Sequence, residues 1–161
     1  MRSETFEWTG PVIGPRVDAE VSGIAYLSGV RDGVFPPPQL RSLISAEIVD
    51  VSPGRMQLIC SASDSQFGLL RELDPGMAGL LVNAAISCVA QGLVAGRQGW
   101  ATVESRTSYR RPVLPGVGSL IATAEVLESS PERVLVAGRL ADDRGHVLTS
   151  VVTTLWVFDL D

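Results

Sequence analysis

The chain has 161 residues, 45% of them hydrophobic and 19% charged, which is enough for one buried core and too few for two ordinary domains. All 13 basic residues are arginine, and a net charge of −5 with a pI near 4.9 excludes general binding to nucleic acid, which depends on basic residues that neutralise phosphate. A single histidine, His146, and two cysteines, Cys60 and Cys88, are too few for a zinc finger or a histidine-rich metal centre, so no metal site is expected. The first ten residues carry Arg2, Glu4 and Glu7 and no apolar run, which reads as a chain without a signal peptide. The corresponding expectation is a cytoplasmic protein whose two thiols are reduced and buried.

After a tail over residues 1–15, Val17, Val21, Ile24, Leu27 and Val30 recur at helical spacing and predict an amphipathic helix over Arg16 to Asp32, closed by Gly33. Pro36 to Pro38 then enforce an extended segment, with a short helical turn over Gln39 to Leu43 completing an N-terminal helical segment at 16–43. The runs Ser45 to Val51 and Met56 to Ala62, joined by Ser52-Pro53-Gly54-Arg55, predict a β-hairpin at the start of a core over 44–158. Next, Pro75 to Gly96 contains no charged residue and approaches the roughly 20 residues that span a bilayer. Asn83, Ser87 and Gln91, however, recur every fourth residue as one polar stripe, so the segment reads as a central helix enclosed by protein nearly all round rather than a membrane span.

Four further runs follow, Trp100 to Arg110, Ser119 to Glu128, Arg133 to Ala141 and His146 to Phe158, each rich in β-branched or aromatic residues and closed by turn chemistry. In the last run both faces are substantially apolar, which suits a strand covered on both sides. The order of elements predicts a single α+β domain: an antiparallel sheet of about six strands around one long central helix, preceded by an N-terminal helix.

Three stretches then point further: YLSGVRDGVFPPPQLRSLISAEIVDVSPGRMQL from Tyr26, GWATVESRTSYRRPVLPG from Gly99, and DDRGHVLTSVVTTLWVF from Asp142. In this order they resemble the hotdog-fold thioesterase superfamily, specifically acyl-CoA thioesterases of the phenylacetate-degradation type, over most of the chain from Tyr26 to Phe158. The resemblance implies a hotdog fold and an acyl-CoA or acyl-carrier-protein substrate, with no cofactor beyond the coenzyme A or phosphopantetheine arm of that substrate. It also implies a homodimer or tetramer with active sites between subunits, and neither a nucleic-acid nor a membrane partner.

The family's motif is His-Gly-Gly at the start of the central helix, with a carboxylate nine residues after the histidine. A gap-free alignment sets Asp74 at the histidine, Pro75 and Gly76 at the glycines and Asn83 at the carboxylate. Proline has no N–H to polarise a carbonyl, and an amide is not a base at neutral pH. Either the alignment slips by a residue or the chain does something other than ordinary thioester hydrolysis.

Asp74 before Pro75 reads as a helix N-cap, with a catalytic carboxylate as the alternative. Gly76 and Met77 offer N–H groups to a substrate carbonyl. Asn83 and Ser87 lie one turn apart and read either as a satisfied polar pair or as a patch that orients substrate or water. Arg106 and Arg110 share a strand face and suit the phosphates of a coenzyme A or carrier arm, or else form a solvated strand end; Arg111 follows them directly. Glu104 pairs with Arg106 or serves as a second carboxylate. His146 is expected at an exposed hairpin, without a role as a base. The leading functional expectation is an acyl-thioester hydrolase. The alternatives are a dehydratase, isomerase or cyclase using Asp74 or Glu104, and a non-catalytic acyl-binding dimer.

Overall fold

The computed structural model of the chain describes residues 3–7, 21–94 and 96–160. Helix α1 (Gly23–Arg31) begins where the Ser22 hydroxyl accepts the N–H of Ala25 at 3.2 Å. The predicted helix from Arg16 is therefore too long at its start: Ser22 is extended, with ψ of 152°, so Val21 precedes the helix, and Val17 lies outside the described residues. A helical spacing of apolar residues had simply continued in phase past the cap. The buried face of α1 is Gly23, Leu27 and Val30. After it come the triple proline and a single 3-10 turn at Gln39–Ser42.

Strands β1 (Ser45–Ser52) and β2 (Arg55–Ser61) form the expected hairpin about Pro53 and Gly54. Helix α2 (Pro75–Leu93) crosses the sheet, and β3 (Gln98–Tyr109), β4 (Leu120–Ser129), β5 (Arg133–Ala141) and β6 (Val147–Asp159) follow. All pairings are antiparallel and the order is β1-β2-β4-β5-β6-β3, so β1 and β3 are the two edges. This is the hotdog arrangement that the resemblance implies.

The core lies between α2 and one face of this sheet. Ala78, Leu81, Val82, Ala85, Ile86 and Val89 of α2 are buried against alternate residues of the strands, such as Met56, Leu58, Ala122, Val136 and Leu155. At Gly138 on β5 the helix comes so close that a Cβ would lie 2.5 Å from Cγ1 of Val82. A second contact of this kind joins the helices, since a Cβ on Gly23 would lie 1.8 Å from the Gln91 carbonyl oxygen.

Three sequence expectations need correction. The central helix is not enclosed nearly all round: the sheet covers one face, α1 reaches only its C-terminal part, and Met77, Leu80, Asn83, Ala84, Ser87 and Cys88 are half-buried. It also ends at Leu93 rather than Gly96, because Val94 turns extended. Of the two free thiols, Cys60 is buried but Cys88 is only half-buried, on that less covered side. On β6 the residues facing α2 are buried, whereas Val152 and Trp156 on the outer face are exposed, with the Trp156 ring 4.7 Å from that of Phe158.

Candidate active site

The start of α2 is held in place before any substrate arrives. The Leu73 N–H donates to the Val113 carbonyl at 2.8 Å, and the Asp74 N–H donates to the Gln66 carbonyl at 3.0 Å. These bonds fix the first turn between the loop after β2 and the loop after β3. Asp74 is the N-cap, and its Oδ1 accepts the Gly76 N–H at 2.8 Å. Pro75 at the first helical position contributes no donor. The Ala78 N–H closes the first intrahelical bond onto the Asp74 carbonyl at 3.0 Å. Of the first-turn donors, Met77 N–H alone is left without a partner among the described residues. The structure thus gives Asp74 the role of cap and commits the Gly76 N–H to it.

Along the same helix Asn83 and Ser87 are half-buried one turn apart, on the side of α2 that the sheet does not cover. Tyr109, at the end of β3, is a residue that sequence reasoning assigned no role. Its hydroxyl lies 3.5 Å from where a Cβ of Gly79 would be, so it stands over α2 between Met77 and Asn83. The tyrosine is part of the GWATVESRTSYRRPVLPG stretch, and that stretch was the available signal. The inner face of β3 continues through Thr107 and Ser105, whose Oγ is 2.8 Å from Oγ1 of Thr153.

Glu104 and Arg106 are not brought to this place, whereas Arg110 borders a cleft with Pro75, Ala78 and Tyr109 at the start of α2 but turns its guanidinium away. A bulge at Val103 separates the pairs Thr102–Leu155 and Glu104–Thr154, and beyond it Glu104 and Arg106 face the outer side of the sheet opposite Thr154 and Val152. Arg106 Nη2 and Glu104 Oε1 are 3.9 Å apart, at 83% and 68% exposure, a weakly held surface pair. Arg110 Nε donates to Oγ of Ser150 on the same outer side at 3.1 Å. Asp74, Gly76, Met77, Asn83 and Ser87 therefore lie along α2 and its cap, and the Glu104 and Arg106 side chains and the Arg110 guanidinium lie on the other side of the sheet in the same chain.

A second feature was not legible in the sequence. A cavity of about 490 Å³ opens between α1, the proline segment and the C-terminal half of α2, with Ser87 in its wall. Burial pushes the Cys88 thiol beside it up to about 11 and the Cys60 thiol up to about 12. Both are neutral near pH 7 and unsuited to act as nucleophiles. Burial, and then the neighbouring Cys88, raise Tyr26 in the same wall. His146 stands apart at the β5–β6 turn. Its Nδ1 is 2.9 Å from Asp142 Oδ2, and its N–H donates to Asp142 Oδ1 at 2.8 Å. Burial opposes the effect, but the bonds from His146 and Arg144 hold the Asp142 carboxyl below its ordinary value.

No family model matches the chain, and no curated protein matches it. Solved structures do. A phenylacetic acid degradation-related protein of Ralstonia eutropha is 20% identical over 81% of this chain and 98% of its own, with a TM-score of 0.73. The E. coli PaaI protein from the phenylacetic acid degradation operon is 10% identical over 86% and 97%, also at 0.73. A Streptococcus mutans protein bound to acetyl-CoA is 12% identical over 71% and 90%, at 0.65. At these identities the likeness is one of fold, and the fold it identifies is that of the thioesterase-type hotdog proteins.

Proposed function

We propose that this chain binds an acyl thioester with its carbonyl at the N-terminus of α2 and transfers the acyl group to water. The observation that carries the reading is the unpartnered Met77 N–H, set beside the Asn83 and Ser87 stripe on a fold shared with a protein bound to acetyl-CoA. Met77 N–H is aimed as an oxyanion donor, reinforced by the positive end of the helix dipole. Asn83 accepts a hydrogen bond from the attacking water and fixes its approach. Water adds to the carbonyl carbon, the C–S bond breaks, and one water proton ends on the departing sulfur, giving a carboxylic acid and a thiol. With an amide in place of a carboxylate, general-base assistance is absent and turnover is slow.

The substrate's thiol part is coenzyme A or a carrier-bound phosphopantetheine arm. We further infer a homodimer or a tetramer built from it. β3 is a 12-residue edge strand with most of its length exposed, a surface suited to pairing with a second copy. Such pairing would bring the partner's β3 surface towards the uncovered side of α2.

A non-catalytic acyl-binding dimer is the second reading. It is favoured by the Gly76 N–H being taken by the chain's own carboxylate, and by Asn83 standing where the family has its acid. Thiol release from a series of acyl-CoA and acyl-N-acetylcysteamine thioesters separates the two. Hydrolysis is expected above background and falls at least tenfold in Asn83→Ala. Binding of an acyl-CoA with no thiol release establishes the second reading, and a rate unchanged in Asn83→Ala removes Asn83 from the mechanism.

A further inference from the structure

Helix α2 carries three glycines, Gly76, Gly79 and Gly92, although glycine weakens a helix relative to alanine. Two of them are accounted for by their surroundings. A Cβ on Gly76 would lie 2.9 Å from the capping Asp74 Oδ1, and a Cβ on Gly92 would lie 3.0 Å from both Ile24 Cδ1 and Met56 Cε. Gly79 differs. Among the described residues the Tyr109 hydroxyl alone comes within 4 Å of its Cβ position, and at 3.5 Å it is in ordinary van der Waals contact. Packing therefore gives no reason for a glycine here.

Asn83 stands one turn further along the same face of α2, so its Cβ is about 5 to 6 Å from that of a residue at 79. Helical side chains lean over the preceding turn, which directs the Asn83 amide towards Gly79 and brings its polar atoms within roughly 4 Å of the empty Cβ position. The Tyr109 hydroxyl reaches the same point from the end of β3. Neither the Tyr109 hydroxyl nor the Asn83 amide is hydrogen-bonded among the described residues. Two hydrogen-bonding groups thus converge on one gap that would hold a methyl group or a water.

We propose that the gap over Gly79 is the seat of the attacking water, held by Tyr109 Oη together with Asn83. The inference rests on the hydrolytic reading above, and it adds Tyr109 and Gly79 to the residues that serve the reaction. The Asn83 amide oxygen accepts one hydrogen of the water and Tyr109 Oη accepts the other, which leaves an oxygen lone pair for the carbonyl carbon. Neither residue keeps a proton, so one still ends on the departing sulfur. Gly79 is two residues from Met77 and four from Asn83, so the seat lies between the donor to the carbonyl and the amide.

Gly79→Ala fills the seat with a methyl group that meets nothing closer than 3.5 Å. The variant is expected to keep or raise the urea midpoint, while kcat for thiol release from acetyl-, octanoyl- or phenylacetyl-CoA falls about tenfold and KM changes less than about twofold. Tyr109→Phe keeps the ring and is expected to lower kcat in the same way. Because both remove the same water, the double variant is expected to be no slower than the slower single variant. Wild-type kcat in Gly79→Ala, a fall in kcat matched by a loss of stability, or two losses that multiply in the double variant overturns the seat while hydrolysis stands. A wild-type protein that binds acyl-CoA and releases no thiol overturns the hydrolytic reading instead. A crystal structure then decides the seat: a water within about 3.2 Å of both Tyr109 Oη and the Asn83 amide is expected, and an empty gap overturns it.

Discussion

Asp74 Oδ1 accepts the Gly76 N–H at 2.8 Å, and this one bond places a carboxylate one residue before the Met77 N–H, the proposed donor to the negative oxygen of a tetrahedral intermediate. The helix start gains its cap and the neighbouring chemistry meets a like charge. The two effects can be separated by substitution, because asparagine caps a helix about as well as aspartate.

Asp74→Asn is therefore expected to leave the urea midpoint nearly unchanged and to raise thioester turnover, while Asp74→Ala lowers stability by about 1 kcal/mol through loss of the cap. Parallel denaturation and thiol-release assays read both. Asp74→Asn abolishing turnover would assign the carboxylate a direct catalytic part instead.

The two backbone approaches at Gly23 and Gly138 make a prediction about packing. A methyl group at either meets an atom at 1.8 Å or 2.5 Å, the Gln91 carbonyl oxygen in the first case and the Val82 side chain in the second. Val82 can turn aside and a backbone carbonyl cannot. Gly23→Ala is thus expected to destabilise by about 2 to 3 kcal/mol and Gly138→Ala by about 1 to 2 kcal/mol, both measured by urea denaturation. The reverse order would show that α1 is free to shift on α2.

The thiols make a prediction in alkali. Burial raises Cys88 from an ordinary value of 9.0 to about 11 and Cys60 to about 12, so above pH 9.0 the unfolded chain loses protons that the folded chain keeps. Stability from this source is complete below 9.0 and is lost as pH climbs towards those folded values. Between about pH 8 and about pH 10, Cys88 should account for about 1 kcal/mol of the decline, and Cys88→Ala should flatten the curve by that amount. An equal decline in the variant would place the sensitivity elsewhere. Alkylation of the native protein near neutral pH should be slow at both cysteines.

The strands were legible because each is rich in β-branched or aromatic residues and bounded by turn residues, and their pairing then follows from short connections. The start of α1 was not, since Val17 and Val21 keep the helical phase while Ser22 ends the helix through a side-chain bond that spacing does not register. At the site, Asp-Pro announced its cap. The fate of the Gly76 N–H followed from that cap only once the carboxylate was placed. The cavity draws on α1, the prolines, β1, β2, α2 and Trp100, residues brought together over long separations that no local pattern encodes. Glu104 and Arg106 were correctly placed on one face as a pair, but the sequence does not say which face, and that depends on the bulge at Val103.

The contact of Gly23 on the Gln91 carbonyl has a mechanical consequence. It sets how near the two helices lie, because only a residue without a side chain lets the α1 backbone rest on a carbonyl of α2. Any side chain at position 23 would wedge α1 away and enlarge the cavity between the helices, so the width of that space is written into a single missing methyl group.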